Sequence, residues 1–130
     1  MGETIKDGRA MVAGMSPELV EGRFAFATFA DDAPDAMRGA AIAMFREREG
    51  LSLIVPAELV PDAPVMRMIT LTVASSLEGV GLTAAASSAL ATENIPCNMV
   101  AAFHHDHIFV PEDCADRALS VLIARAARDG

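Results

Sequence analysis

The chain has 130 residues, of which 52 % are apolar and 22 % charged, a composition that supports a packed core and argues against disorder. Ten basic residues against 18 acidic ones give a formal charge of −8, which disfavours a nucleic-acid-binding surface. No apolar run approaches the roughly 18 residues of a membrane span, and the first residues lack an export signal. We therefore expect a cytoplasmic protein with no nucleic-acid or membrane partner, in which Cys97 and Cys114 are reduced thiols.

The first half of the chain is predicted to contain more strand than helix. Apolar residues at helical spacing indicate one helix over 3–15, and the Asp-, Ala-, Pro- and Gly-rich segment 31–39 is typical of a loop. Gly50 can adopt the positive φ of a short hairpin turn, and 56–60 can form one helical turn. The Pro-rich segment 61–64 is the best candidate for a domain boundary. Three strands are predicted, at residues 23–29, 41–47 and 51–55.

The second half alternates strand and helix. A tight turn is predicted at His105–Asp106. The order strand, helix, strand, strand, helix is that of a ferredoxin-like split βαβ that lacks one strand, which the N-terminal half can supply. Its first crossover should be right-handed. Strands are predicted at 68–73, 97–104 and 107–110, and helices at 77–93 and from Pro111 or Glu112 onward.

The junction between the strand at 68–73 and its helix is the segment most suited to a ligand. Ser75 and Glu78 have the spacing of a capping box, and Gly79 and Gly81 fall in the loop or first turn. Each glycine costs about 1 kcal/mol against alanine within a helix, so two of them need a reason. One reason is that bare N–H groups at the positive helix end receive a ligand carboxylate. The other is that glycine lets the helix start pack closely on a strand or a partner helix.

Three further polar features have two interpretations each. Asn98, in a predicted strand, either binds a ligand or satisfies a neighbouring loop. The run 104–107, His-His-Asp-His, suggests a metal site, but a polar hairpin turn is favoured because nothing else in the chain completes the ligand set. Cys97 can serve as a nucleophile only with a histidine from a partner subunit, since His104 is about 23 Å away along an extended strand.

Two stretches, 68–85 and 95–111, resemble a small bacterial family of stand-alone ACT-domain proteins of unknown function, and are similar in outline to the ACT-like regions of aspartate kinases. The hairpin at 45–56 resembles the same family. The resemblance implies an α+β, ferredoxin-like ACT fold (βαββαβ) in tandem. It implies a degenerate N-terminal unit at 1–64, which shares strands with an ACT domain at 65–130.

The resemblance also implies a ligand site. ACT domains bind amino acids where the strand-to-helix loop of one unit meets its neighbour, and they pair through sheet edges or helices. The loop here departs from the common pattern of an acidic residue followed by Pro-Gly, since it lacks the proline. The residues assigned to the ligand site are Ser75, Ser76, Glu78, Gly79, Val80, Gly81, Leu82 and Asn98.

We therefore predict a non-catalytic regulatory protein that binds an amino acid, acts as a homodimer and uses no metal or cofactor. The ligand carboxylate would accept hydrogen bonds from the N–H groups of 79–82, and its binding would tighten the subunit interface. The alternative is an interaction or oligomerisation module without a ligand, in which the Gly-rich helix start only packs a partner. An enzyme is a third hypothesis, but no segment carries a complete acid–base or nucleophile set.

Overall fold

A computed structural model of the chain describes residues 14–72 and 81–129, and element labels below count within these ranges. The chain divides into two compact units. One unit comprises residues 22–66, and the other combines residues 14–21 with the described residues from 67 onward. Most of the helix predicted at 3–15 lies outside the described residues. The division of the sequence at residue 64 stays a prediction.

Seven strands and three helices make up the described chain. The strands are β1 (Pro17–Leu19), β2 (Phe24–Phe29), β3 (Ala43–Glu47), β4 (Gly50–Pro56), β5 (Met66–Leu71), β6 (Asn98–Ala101) and β7 (Asp106–Pro111). The helices are α1 (Asp35–Ala40), α2 (Leu82–Thr92) and α3 (Ala115–Asp129), with 3₁₀ turns at Ala57–Leu59 and Glu112–Cys114.

The unit of residues 22–66 contains an antiparallel sheet in the order β3-β4-β2. Alternate residues of β4 point to one face, where Leu51, Leu53 and Val55 are buried together with Ala33. Gly50 opens β4 with a φ of 151°, and a Cβ there would collide with the carbonyl oxygen of Phe29. The predicted positive φ at this hairpin is therefore confirmed, and glycine is required there.

Helix α1 corrects the prediction of a loop over 31–39, since the second half of that segment is helical. Pro34 occupies the N-cap position with its φ at −54°, and Asp35 places a negative charge in the first turn. Arg38 forms an ion pair with Asp35, and its Nε donates to the carbonyl of Ala33 at 3.2 Å. These local contacts stabilise a short helix in a segment whose composition is that of a loop.

The second unit contains the predicted strand, helix, strand, strand, helix order as β5, α2, β6, β7 and α3. Strand β1 pairs antiparallel with β5, with Pro17 opposite Leu71 and Leu19 opposite Ile69. The neighbours along the sheet are then β1, β5, β7 and β6. The expectation that the N-terminal half supplies the missing strand is confirmed. This three-residue strand was not itself predicted, because its pairing partner lies about 50 residues away in sequence.

The core of this unit lies between one face of the sheet and helices α2 and α3. The alternation predicted for β5 is observed, because Ile69 and Leu71 face the core while Thr70 lies on the opposite face beside His107. The fully or nearly buried residues of this core include Met15, Ile69, Leu71, Leu82, Ala86, Leu90, Ile108, Val110, Ala118 and Leu122.

The β6–β7 hairpin corrects the strand predicted at 97–104 and the turn predicted at His105–Asp106. Strand β6 ends at Ala101, and the N–H of Ala102 donates to the carbonyl of His105 at 3.0 Å to close the turn. Phe103, whose apolar side chain favoured a longer strand, lies in the turn with 80 % of its surface exposed. The turn therefore spans Ala102 to His105, and Asp106 already belongs to β7.

Candidate functional site

The predicted ligand site is described only in part. Gly81 and Leu82 lie at the start of α2, and Asn98 lies at the start of β6. The other residues assigned to the site, Ser75, Ser76, Glu78, Gly79 and Val80, lie outside the described residues.

The start of α2 presents backbone rather than side chains. Gly81 is the N-cap residue, with a left-handed φ of 99°, and no side-chain hydrogen bond caps the helix there. Its carbonyl accepts the first helical hydrogen bond from Ala85 at 2.8 Å. Leu82 is only 3 % exposed because its side chain packs into the core, so only its backbone can meet a ligand. This end of α2 therefore offers N–H groups at the positive pole of the helix.

An open depression of about 460 Å³ lies where β5 ends, directly before the predicted ligand loop. Thr72 forms one wall, and its Oγ1 donates to the carbonyl of Ser16 at 2.9 Å. Glu18 also lines it, at a position of β1 that pairs with Thr70 and so lies on the sheet face away from the helices, while Ile123, 52 % exposed, and Ala126 of α3 form an apolar side. The depression thus combines the hydroxyl of Thr72 with an apolar wall, an arrangement suited to a small molecule that has a polar and an apolar part.

The residues that line this depression were not predicted from the sequence. Glu18 and Thr72 are brought together by the pairing of β1 with β5, and Ile123 by the packing of α3 on β1. None of them belongs to a local motif, so no signal in the sequence groups them.

Asn98 lies apart from the depression in the structure. It is exposed at the edge strand β6 and pairs with Phe109 of β7, on the sheet face opposite the helices. It does not line the depression beside Thr72. The hypothesis that Asn98 orients a ligand stays a prediction, since most of the predicted ligand loop lies outside the described residues.

The histidine-rich hairpin forms a polar contact with β5. The Nδ1 of His107 and the Oγ1 of Thr70 are 2.9 Å apart, and the rings of His105 and His107 are 6.5 Å apart between centroids. Burial lowers the pKa of His107, and the charge of His105 lowers it further, whereas Asp106 opposes this. Among residues 14–72 and 81–129, no three His, Cys, Asp or Glu side chains lie close enough to hold a metal ion.

Cys97 packs with Met99 against the core of its unit. Burial raises the pKa of the Cys97 thiol, which reduces the fraction of reactive thiolate. This environment is typical of a structural cysteine and does not favour the nucleophile hypothesis.

None of the helices in the described part of the chain is both long enough and apolar enough to span a membrane.

Residues 3–64 match one ACT-domain family model, and residues 65–124 match a second. A Vibrio cholerae protein of unknown function, described as a possible transport protein, is 41 % identical. The match covers 88 % of this chain and 92 % of that one, with a TM-score of 0.78. An Agrobacterium tumefaciens protein is 18 % identical over 85 % of this chain and 87 % of that one, with a TM-score of 0.72.

The regulatory subunit of aspartate kinase from Thermus thermophilus, in its ligand-free form, shares the fold. It is 10 % identical and has a TM-score of 0.64 over 86 % of this chain and 97 % of that one. No curated protein matches the chain. ACT domains are generally regulatory modules that bind small ligands. The two family matches, which together span most of the sequence, show that the chain belongs to the ACT-domain family and contains two ACT domains in tandem.

Proposed function

We propose that this protein is a regulatory domain that binds a free amino acid beside the junction of β5 and α2. The observation that carries the proposal is the depression next to Thr72, where the chain enters the predicted ligand loop. The likeness to the aspartate kinase regulatory subunit supports a regulatory role, and it does so through the fold alone.

The described residues would interact with three different groups of the ligand. Ile123 with Ala126 would contact an apolar side chain, and the charge of exposed Glu18 on the neighbouring strand would attract the ligand ammonium. The ligand carboxylate would accept hydrogen bonds from N–H groups at the start of α2, near Gly81. An amino acid with a small or medium apolar side chain satisfies all three requirements.

Thermal unfolding in the presence of each of the twenty amino acids tests the proposal. A ligand at 100 times its dissociation constant stabilises the folded state by about 2.7 kcal/mol, so at least one amino acid should raise Tm by several degrees. Glu18→Gln should weaken that effect, and Glu21→Gln, an exposed glutamate outside the depression, serves as the matched control. If none of the twenty shifts Tm at millimolar concentration, the amino-acid proposal fails.

A second function, self-association, is favoured by a different observation, the exposed edge strand β3. Within the described residues β3 pairs only with β4 and ends the sheet. Its Met44 and Phe45 are 51 % and 72 % exposed, which is unusual for an unpartnered edge. We propose that two copies of the chain pair through this strand.

The sequence of β3 is compatible with antiparallel pairing to itself. If a two-fold axis passes through Phe45, then Ala43 lies opposite Glu47 and Met44 opposite Arg46. No like charges face each other in that register, and the two phenyl rings meet at the axis. Each edge would also gain partners for its open N–H and C=O groups.

Sedimentation analysis of the whole chain tests this pairing. The wild-type protein should sediment as a dimer, and Phe45→Glu should produce monomer because it places two like charges at the axis. Phe103→Glu is the matched control, since Phe103 is 80 % exposed in the β6–β7 turn and should leave the dimer intact. A dimer that survives Phe45→Glu would show that β3 is not the interface.

A further inference from the structure

The depression beside Thr72 has a corner in which the backbone is held in an uncommon conformation. Ser16 forms this corner with a φ of 40°, in the left-handed region that residues other than glycine rarely adopt. The following Pro17 restricts the backbone of Ser16 further, because its ring crowds the preceding residue. Strain of this kind persists only where the surrounding structure fixes it, and it is concentrated at functional sites.

Both neighbours of Ser16 are held in place. Met15, before it, is completely buried in the core of this unit, and Pro17, after it, lies opposite Leu71 where β1 pairs with β5. The change of direction between core and sheet therefore falls on Ser16. Its carbonyl oxygen accepts two hydrogen bonds from Thr72, one from the backbone N–H at 3.3 Å and one from Oγ1 at 2.9 Å.

The second of these hydrogen bonds determines what the Thr72 hydroxyl can offer to a ligand. A carbonyl oxygen only accepts hydrogen bonds, so the proton between Ser16 and Thr72 belongs to Oγ1 of Thr72. A hydroxyl has one proton and two lone pairs, and here the proton is already used. Towards the depression Thr72 is therefore an acceptor, and a ligand group that contacts its hydroxyl has to be a donor.

The rest of the described lining favours a donor as well. Pro17 has no backbone N–H to give, and the carboxylate of Glu18 adds negative charge beside the depression. None of the described lining residues carries a positive charge, and Ile123 and Ala126 contribute only apolar side chains. The polar wall is thus suited to an ammonium group, whereas a keto or carboxylate oxygen would face another acceptor.

We propose that Thr72 is the residue that selects ligands with an ammonium group, and that the strained corner at Ser16 positions its hydroxyl to do so. This role of Thr72 rests on the proposed binding of an amino acid, and it adds the contact that recognises the amino group. Ser16 is a positioning residue, since its carbonyl orients the Thr72 hydroxyl. A hydrogen bond from an ammonium group is charge-assisted, which makes it stronger than one from a neutral donor.

Calorimetric titration of the full chain with L-valine and with its oxo acid analogue, 3-methyl-2-oxobutanoate, tests this selection. The two probes share the carboxylate and the branched apolar group, but the oxo acid carries a keto oxygen in place of the ammonium group. L-valine should bind at least about tenfold more tightly, the difference that one charge-assisted hydrogen bond produces.

Two results of this titration would overturn the role of Thr72. Equal or tighter binding of the oxo acid would do so while leaving amino-acid binding intact. The absence of saturable L-valine binding at millimolar concentration would also do so, and the thermal screen with all twenty amino acids then decides the proposed function separately.

Two threonine variants locate the contact. Thr72→Val keeps the shape of the side chain but removes the acceptor, so the preference for L-valine over the oxo acid should fall about tenfold. Thr70→Val is the matched control in the same strand, since Thr70 contacts His107 and does not line the depression, and it should leave the preference within about twofold. A general loss of structure weakens both probes together, so the ratio of the two affinities is the decisive readout. An unchanged ratio in Thr72→Val, or the same fall in both variants, would overturn the contact.

A second pair of variants tests the positioning by Ser16. Ser16→Gly allows the left-handed φ without strain, so it should raise Tm and keep the preference for L-valine. Ser16→Val disfavours that φ, because valine is β-branched. The carbonyl should then move away from Thr72 and free the hydroxyl proton, which should reduce the preference although Thr72 itself is unchanged. A lower Tm for Ser16→Gly would show that the corner is not strained, and a wild-type ratio of affinities in Ser16→Val would show that Ser16 has no positioning role.

Discussion

Both units contain an antiparallel sheet, but the helices that accompany the two sheets differ. In the unit of residues 22–66, the sheet is accompanied by α1, a helix of six residues with no buried side chain. In the other unit, the sheet is covered by α2 and α3, with 11 and 15 residues, and both helices contribute buried leucines to one core. The first unit therefore exposes large apolar strand residues, such as Phe45, whereas the described strands of the second unit expose none.

This difference indicates that the two units have different functional roles. A sheet that is covered by its own helices leaves depressions where the helices meet the strands, and the depression beside Thr72 lies in that unit. A sheet with a thin cover leaves strand edges that another chain can pair with. We therefore expect small ligands to bind to the unit with α2 and α3, and self-association to depend on the unit with β3.

The largest expected effect compares the two cores directly. Leu90→Ala should destabilise the protein by about 4 kcal/mol, because it leaves a cavity among tightly packed neighbours in α2, α3 and the sheet. Leu53→Ala should cost about 2 kcal/mol, because the smaller core around Leu53 can collapse more readily. Denaturant unfolding of both variants provides the two values. An equal or larger loss for Leu53→Ala would contradict the view that this unit has the weaker core.

A glycine pair tests the hairpin that opens β4. Gly50→Ala should cost about 3 kcal/mol, since the new Cβ would collide with the carbonyl of Phe29 and the φ of 151° is unfavourable for alanine. Gly39→Ala is the matched control in α1, where nothing lies within 4 Å of a Cβ, and it should stabilise the protein by up to about 1 kcal/mol. Differential scanning calorimetry should therefore show a lower Tm for Gly50→Ala and a higher Tm for Gly39→Ala than for the wild-type protein. A Gly50→Ala protein as stable as wild type would refute the requirement for glycine.

How well the sequence predicts an element depends on whether that element is determined by local residues or by a distant partner. Where the pattern is local, as for the alternation in β5 or the positive φ at Gly50, the prediction agrees with the structure. Where an element depends on a distant partner, as β1 does, the sequence offers no signal. Helix α1 was missed for another reason, because the side-chain contacts of Arg38 outweigh a loop-like composition.

The candidate site was less predictable than the fold. The pattern placed Gly81 at the start of α2, where the structure gives it a left-handed φ, and the ligand site assigned to this loop stays a prediction. It did not identify Glu18 or Ile123, which reach the depression through tertiary packing. It also assigned Asn98 to the same site; strand alternation places Asn98 on the face of the sheet opposite the helices, and the assignment stays a prediction. Contacts between elements, unlike local conformation, produce no periodic pattern in the sequence from which they could be predicted.

A polar contact in the unit with the larger core provides a smaller test of the comparison. Thr70→Val removes the hydroxyl that lies 2.9 Å from Nδ1 of His107 while keeping the shape of the side chain. We expect a loss of about 1 kcal/mol, the net contribution of one hydrogen bond at a largely buried site. Thr28→Val, at an exposed position of β2, is the control and should change stability by less than about 0.5 kcal/mol. Equal losses in the two variants would argue against a stabilising role for the Thr70 contact.

The smallest expected effect is the pH dependence that His107 gives to the same contact. Because burial lowers the pKa of His107 below its ordinary value of 6.5, the unfolded chain binds a proton more readily than the folded chain. Stability should therefore be fully present above about pH 6.5 and should fall as the pH decreases towards the folded-state pKa. Burial raises the pKa of Asp106 above 3.8, so that carboxyl has the opposite effect, with stability falling as the pH rises from about 3.8.

Urea unfolding of wild type and two histidine variants between pH 5 and 7.5 separates these contributions. His107→Gln should flatten the loss of stability just below pH 6.5, and because His107 is only partly buried, solvent screening keeps the difference below about 1 kcal/mol. His104→Gln removes an exposed histidine from the adjacent turn and is the matched control for the loss of one imidazole. If both variants flatten the profile equally, the slope comes from net charge and not from the burial of His107 beside Thr70. If neither variant flattens it, His107 does not have a depressed pKa in the folded protein.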